Sequence, residues 1–217
     1  MALRNIMIYS RFERFWHWTQ ALLIFALLFS GMAIRGMHEA IPFGAAVTVH
    51  TVCALALIVL WLFAIFWHFT TGAWRHYVPT AQGLGRVARY YAYGIFRGER
   101  HPYRKAFWRK HNPLQALTYL ALKLVLFPAV WLTGLAYLLY AFWEHYPWAG
   151  DALPWVAAVH TLAAFAILAF VIAHVYLLTT GGSFRHHVRP MVTGYDRVEL
   201  TPTEERYFEE SHTVDMK

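Results

Sequence analysis

Four long apolar stretches determine what this chain can fold into. They run at about 15–34, 45–69, 115–142 and 153–179, and each is near or above the ~20 residues that an α-helix needs to cross the hydrocarbon core of a membrane. Because 59% of the 217 residues are hydrophobic and only 14% are charged, the composition lies outside the range of soluble domains. The sequence therefore predicts an all-α integral membrane protein, a four-transmembrane-helix antiparallel bundle.

The lengths that remain limit further domains. Two connections are short, and the longest one and the tail each have about 40 residues, too few for a separate soluble catalytic domain. We predict one membrane domain over 1–190 and a cytoplasmic tail over 191–217, which forms either a short ordered arm that contacts a partner or a disordered segment. The first apolar stretch is too long for a cleaved signal and is interpreted as a retained helix.

The distribution of charge predicts the orientation. The connection between the second and third stretches contains the single acid Glu99. Its basic residues are Arg75, Arg86, Arg89, Arg97, Arg100, Arg104, Lys105, Arg109 and Lys110. Such an excess is typical of cytoplasmic segments, and the N-terminal segment and the start of the tail are basic as well. We therefore expect a multi-pass protein of the bacterial inner membrane with both termini in the cytoplasm, and the excess of basic residues does not indicate a nucleic-acid partner.

Cys53 is the only cysteine. One thiol excludes an internal disulfide, a thiolate-bound iron–sulfur cluster and a CxxCH site for covalent haem. Any haem must therefore be held by non-covalent contacts and axial ligands.

Histidines are the ionisable residues that stand out within the apolar stretches. Ionisable side chains in lipid are costly and are candidates for functional sites. His160 and His174 are fourteen residues apart, which on an α-helix places them within about 40° of one face and about 21 Å apart along the axis. One helix can thus provide ligands to two stacked haems, one near each membrane surface.

The predicted orientation assigns the partners of these two histidines. The fourth helix runs from outside to inside, so His160 lies near the outer surface at the level of His50, and His174 lies near the inner surface at the level of His17. Two imidazoles fill both axial positions of iron, which suits electron transfer rather than oxygen chemistry. We predict two haems b with four axial ligands to iron, His17, His50, His160 and His174, and no catalytic residues.

Several nearby residues have two interpretations. His68, near the cytoplasmic end of the second helix, either replaces His17 as the inner ligand or snorkels to the interface. Lys123, within the third helix, either snorkels or meets an anionic group such as a haem propionate. Gly31 and Gly134 let either a porphyrin or a neighbouring helix approach closely.

These residues resemble a known family. The run Arg14-Phe15-Trp16-His17-Trp18, the second-helix His50, the entry Lys110-His111-Asn112-Pro113-Leu114-Gln115 and the pair His160…His174 are similar to the γ subunit of respiratory formate dehydrogenase. That subunit belongs to a broader group of di-haem membrane cytochromes b, which includes the bacterial b561 type and the anchors of thiosulfate reductases and nickel–iron hydrogenases. The resemblance extends to about residue 190 and implies the same four ligands.

The resemblance also implies a quinone site on the cytoplasmic side beside the inner haem. It would be formed by Asn112 and Gln115 at the start of the third helix, next to His174. The alternative for Asn112 is local, because an Asn before Pro113 is a typical N-cap followed by proline at the first helical position.

The resulting expectation is a membrane anchor that passes electrons between a periplasmic oxidoreductase, iron–sulfur or multihaem cytochrome partner and a quinone pool of menaquinone or ubiquinone. The alternatives are a free-standing b561-type quinol oxidase, or the cytochrome b anchor of a thiosulfate or tetrathionate reductase or a hydrogenase. A haem-free transporter or metal-dependent enzyme has little support, since no HExxH motif is present and the only adjacent histidine pair, His186-His187, lies in the basic tail.

Overall fold

Four long apolar helices dominate the structure, a computed structural model that describes residues 2–99, 102, 110–180, 184–202 and 206. They are, from the first to the fourth membrane helix, Arg11–Ile34, Phe43–Thr71, Pro113–Leu138 and Ala149–Leu178. Each is long and apolar enough to cross a membrane. The prediction of four spans is confirmed, and the largest differences are at the starts of the first and fourth helices, Arg11 and Ala149, and at the end of the third, Leu138.

The third membrane helix contains a π-helical segment, Leu122–Leu126, just before Pro128. Proline has no N–H and its ring clashes with the carbonyl four residues earlier, so a wider turn at this point relieves the clash. Lys123 lies in the segment, and its ammonium group is 3.1 Å from the centre of the Tyr77 ring, which follows the second membrane helix. The side chain thus extends toward a helix end, as the snorkelling interpretation requires, and a cation–π contact stabilises its charge.

Smaller elements complete the described chain. They are the strands β1, Ala2–Met7, and β2, Tyr195–Leu200, the helices Leu84–Ala92, Tyr140–Trp143 and Phe184–Thr193, and the 3₁₀ turns Ala73–Tyr77 and Gly94–Arg97. The strands pair antiparallel, with Ala2 opposite Leu200 and Met7 opposite Tyr195. The chain is mostly helical, and the all-α prediction is wrong in this one respect. Six-residue strands whose partner lies at the other end of the sequence give no strong local signal.

The structure divides into two compact units. The first unit comprises Met1–His17, Thr80–Leu114 and Val175–Lys217, and the second unit comprises Trp18–Pro79 and Gln115–His174. The first contains the sheet, the helices Leu84–Ala92 and Phe184–Thr193 and the 3₁₀ turn Gly94–Arg97. The second contains most of the length of all four membrane helices, together with three of the four predicted haem ligands.

In the first unit, polar contacts fix the start of the first membrane helix. Ser10 and Glu13 form a reciprocal capping box, in which the Glu13 N–H donates to Ser10 Oγ (3.2 Å) and the Ser10 N–H donates to the Glu13 carboxylate (2.8 Å). The same carboxylate accepts a hydrogen bond from Lys110 Nζ at 2.7 Å, and both side chains are largely buried. Arg14 donates to the carbonyl of Val192 at 2.6 Å. The helix start is therefore held by residues that are distant in sequence.

The described part of the tail contains a helix and the strand β2. The helix Phe184–Thr193 passes through the predicted boundary at residue 190 and includes Pro190, and that boundary stays a prediction. Several charges used to predict the orientation lie outside the described residues: Arg100, Arg104, Lys105 and Arg109.

Candidate functional site

His50 and His160 meet within the second unit. Their ring centres are 6.2 Å apart and the ring planes are inclined by 61°. One comes from the second membrane helix and the other from the fourth. The structure therefore brings together the two histidines that were predicted to share the outer haem.

The separation of the two rings matches one metal ion between them. A metal–imidazole nitrogen bond is about 2 Å long and the nitrogen is about 1 Å from the ring centre, so two imidazoles on opposite sides of one metal have centres about 6 Å apart. A direct N–H···N hydrogen bond would bring the centres to about 5 Å. The observed 6.2 Å would allow both imidazoles to bind one metal ion.

A serine hydroxyl determines the tautomer of His50. Ser30 Oγ lies 3.1 Å from Nδ1 of His50 and donates its proton to the carbonyl of Ala26 at 2.7 Å. A hydroxyl has one proton to donate, so the serine oxygen accepts from His50 and the proton of the ring is on Nδ1. The Nε2 lone pair is then the one that can bind a metal, as in most histidine ligands.

A hydroxyl group of the third membrane helix contacts His160 in the same way. Thr133 Oγ1 donates to the carbonyl of Ala129 at 2.5 Å and lies 2.9 Å from Nδ1 of His160. The threonine therefore accepts from Nδ1–H, and Nε2 is again the metal-binding atom. Tyr137 packs edge-on to the ring, with centres 6.0 Å apart, and holds its orientation.

Glycines make room for both rings. A Cβ atom at Gly31 would lie 3.2 Å from Cε1 of His50, and one at Gly134 would lie 3.4 Å from Cε1 of His160. At both glycines a histidine of a neighbouring helix approaches closely. This agrees with the alternative in which the glycines allow a neighbouring helix to pack. The sequence pointed to these glycines but missed the hydroxyl residues Ser30 and Thr133 directly before them. Ser-Gly and Thr-Gly pairs inside apolar helices were the available signal.

We expect Gly31→Ala to weaken haem binding. The added methyl group would push the His50 ring by a few tenths of an ångström, and overpacking of this kind costs about 1–3 kcal/mol, or about 5- to 150-fold in affinity. Gly134→Ala should have a smaller effect because its contact is longer. Gly44→Ala, where a Cβ meets nothing within 4 Å, is the matched control. Haem per polypeptide after purification measures the effect, and equal haem content in all three variants would contradict the expectation.

The predicted inner pair is divided between the two units. His17 belongs to the first unit and His174 to the second, so their pairing stays a prediction. The ring of His174 stacks on Phe170, with centres 5.6 Å apart and an interplanar angle of 18°, and Phe170 packs against Tyr119. These contacts orient the His174 side chain from within its own helix and from the third.

His68 is buried, with 6% of its surface exposed. The expectation that it snorkels is therefore wrong, because Trp67 and Tyr77 pack against the ring. Nδ1 of His68 donates to the carbonyl of Ala64 at 2.6 Å. This bond selects the tautomer that a metal ligand needs, so the alternative in which His68 replaces His17 stays open.

A core of aromatic residues joins the second and third membrane helices. Trp61 is 4% exposed and packs against Phe127 and Trp131, with ring centres 4.6 and 5.2 Å apart. Its indole N–H donates to Gln20 Oε1 at 2.8 Å. The first, second and third membrane helices are thus joined at Trp61. The bond to Gln20 satisfies the indole N–H, for which lipid offers no acceptor.

Asn112 is buried in the first unit and donates from Nδ2 to Tyr91 Oη at 3.2 Å. Burial raises the pKa of Tyr91, and the hydrogen bond from Asn112 partly offsets that rise. Pro113 begins the third membrane helix, as the capping alternative predicted. Gln115 belongs to the second unit, so the joint role of Asn112 and Gln115 at a quinone stays a prediction.

Comparison with known proteins identifies the family. The sequence model of the family described as prokaryotic cytochrome b561 matches residues 8–194. A protein of Escherichia coli (strain K12) named "Putative cytochrome YdhU" is 37% identical over 203 residues, which are 89% of this chain and 75% of that protein. No solved structure matches the chain. The family match includes all four membrane helices and both histidines of the 6.2 Å pair, and the chain therefore belongs to the prokaryotic cytochrome b561 family of membrane electron-transfer proteins that bind haem b.

Proposed function

We propose that this protein is a di-haem membrane anchor that passes electrons between a redox partner at the outer face and the quinone pool. The observation that carries the proposal is the pair His50 and His160, whose separation fits one iron and whose Nδ1 atoms are both held by hydroxyl oxygens. His17 and His174 are proposed to hold the second haem, at the cytoplasmic end of an antiparallel four-helix bundle.

Bis-histidine ligation determines the type of chemistry. When bound, each haem supplies a one-electron carrier with no open coordination position for a substrate. The chain itself holds the rings in one tautomer and surrounds them with apolar helices. Bulk water and alternative ligands are thereby kept from the ligand positions, which suits transfer between partners rather than reaction with a bound substrate.

The proposed quinone site is at the cytoplasmic end, with Asn112 and Gln115 as hydrogen-bond partners of the quinone oxygens. The buried amide of Asn112, held by Tyr91, supports a recognition role because a neutral donor can meet a quinone carbonyl without the cost of a buried charge. The basic residues Arg86 and Arg89 nearby in sequence support a cytoplasmic location. A formate-dehydrogenase-like complex, with an iron–sulfur or multihaem partner in the periplasm, is the proposed setting.

The haem count tests the proposal. We expect two low-spin b haems per polypeptide, because four histidines are available for four axial positions. Pyridine haemochrome analysis of the purified protein, combined with its optical and electron paramagnetic resonance spectra, measures both number and spin state. One haem per chain, or a high-spin signal from an intact preparation, contradicts the di-haem proposal.

A free-standing quinol oxidase is the second candidate, and the match to the family described as prokaryotic cytochrome b561 is consistent with it. The two functions differ in their need for a stable partner. Purification in mild detergent of the chain produced in its own cells distinguishes them: a redox subunit that remains bound in fixed ratio supports the anchor, and a fully active chain without one supports the oxidase.

A further inference from the structure

Two matching hydroxyl–glycine pairs hold the rings of His50 and His160. Ser30-Gly31 on the first membrane helix contacts His50, and Thr133-Gly134 on the third contacts His160. In each pair the glycine permits the close approach and the hydroxyl binds Nδ1. Two different helices thus present the same arrangement to the two histidines.

The similarity extends to the backbone. Each hydroxyl donates to the carbonyl four residues earlier and lies 3.3 Å from the carbonyl three residues earlier, which belongs to Leu27 or Val130. Because the proton of each hydroxyl is already donated to a carbonyl, the hydroxyl oxygen accepts from Nδ1–H, and each ring is held in the tautomer with its proton on Nδ1.

Burial makes these contacts effective. Ser30 has no exposed surface, and hydrogen bonds in such a low-dielectric setting are stronger than they are in water. Thr133 is partly buried. Of the two Nδ1 contacts, the one made by Ser30 is therefore the more shielded from water.

We propose that Ser30 and Thr133 are positioning residues that lower the redox potential of the haem held between His50 and His160. An acceptor on Nδ1–H increases electron donation from Nε2 to the metal, and a more strongly donating ligand favours the ferric state. Both ligands of the same iron have such an acceptor, so the two contributions act in the same direction. The inference rests on the proposed ligation of that haem by these two histidines.

The test compares variants that keep or remove a hydroxyl at constant shape. Thr133→Val removes the acceptor and keeps the branched side chain, whereas Thr133→Ser keeps the acceptor. Ser30→Ala is the equivalent removal at the other ligand. Thr48→Ala is the matched control, because Thr48 is an exposed residue of the second membrane helix whose hydroxyl binds only the carbonyl of Gly44 in its own helix. Spectroelectrochemical titration of the purified holoprotein gives the potential of each haem.

Removal of either hydroxyl should shift one haem to a more positive potential. We expect at least a threefold change in its ratio of oxidised to reduced forms at fixed potential, which is about 28 mV for a one-electron couple. The second haem should keep its potential and serves as an internal control. Thr133→Ser and Thr48→Ala should titrate like the parent protein, and the shifts of Ser30→Ala and Thr133→Val should add in the double variant.

Other results overturn the inference. Unchanged potentials in Thr133→Val and Ser30→Ala show that the hydroxyls do not act on the iron, and equal shifts in Thr133→Val and Thr133→Ser show that packing is the cause. Thr133→Val could lose the haem while remaining folded by circular dichroism. In that case, retention of the haem by Thr133→Ser supports the role of the hydroxyl, and loss of the haem from Thr133→Ser contradicts that role. Failure of the underlying ligation is recognised separately, since His160→Ala would then retain both haems.

Discussion

Replacement of His160 by alanine should reduce the haem content from two to one per polypeptide. His160 is half of the pair whose ring separation fits one iron, and loss of one strong axial ligand leaves a b-type haem without the bond that fixes it. His50→Ala should give the same result. The double variant His50→Ala/His160→Ala should lose no more than either single variant, because residues that act as a unit are not additive.

Haem content by pyridine haemochrome analysis and the spectrum of the remaining haem provide the measurement. His145→Ala is the matched control, because His145 is an exposed histidine of the connection that precedes the fourth membrane helix. Retention of two low-spin haems in His160→Ala would contradict the assignment. The assignment would also be contradicted if each single variant kept one haem and the double variant lost both.

Replacement of His174 by alanine should abolish reduction of the protein by a quinol analogue. In the proposed arrangement His174 binds the inner haem beside the quinone site, so its loss removes the first electron acceptor. His160→Ala should still be reduced by quinol, because its inner haem is intact. Asn112→Ala should keep both haems and slow turnover about 2- to 12-fold, the effect of losing a hydrogen bond worth about 0.5–1.5 kcal/mol.

Anaerobic mixing with a quinol analogue, followed at the haem absorption bands, measures these effects. Tyr91→Phe is the control for Asn112, because it removes the phenol that accepts from the amide and leaves the amide in place. Rapid reduction of His174→Ala together with slow reduction of His160→Ala would place the quinone at the opposite membrane surface. Equal effects of Asn112→Ala and Tyr91→Phe would assign Asn112 a structural role.

The pairing of His50 with His160 could be predicted because depth in a membrane follows directly from helix rise. Apolar length fixes where each span begins, and about 1.5 Å per residue then fixes the level of each side chain. Rotation of a helix about its axis is less constrained by sequence. His68 shows the difference, since its level was predicted, whereas its burial depends on packing by Tyr77, a residue beyond the end of the helix.

Contacts between single atoms of distant residues were not predictable. The hydroxyl of Ser30 reaches the ring of a residue twenty positions away, and although the Ser-Gly pair indicates a close approach, it does not identify the residue that approaches. The sheet was missed for a similar reason. The π-helical segment has a visible local cause in Pro128, but proline predicts only that a helix is perturbed, and not which of several distortions results.

The pairing of β1 with β2 places completion of the sheet after the synthesis of all four membrane helices. Met7 and Tyr195 are neighbours in the sheet although about 190 residues separate them, and ribosomes add roughly 5–20 residues per second, so roughly 10–40 s pass before β1 meets its partner. All four membrane helices are made during that interval. Ile6, which is 1% exposed in the finished sheet, stays exposed until then. The edge of β1 stays unpaired for the same time, and unpaired strand edges promote association with wrong partners. A chain interrupted before β2 keeps Ile6 and the edge of β1 exposed, so closure of the sheet shows that synthesis has passed the fourth membrane helix and β2.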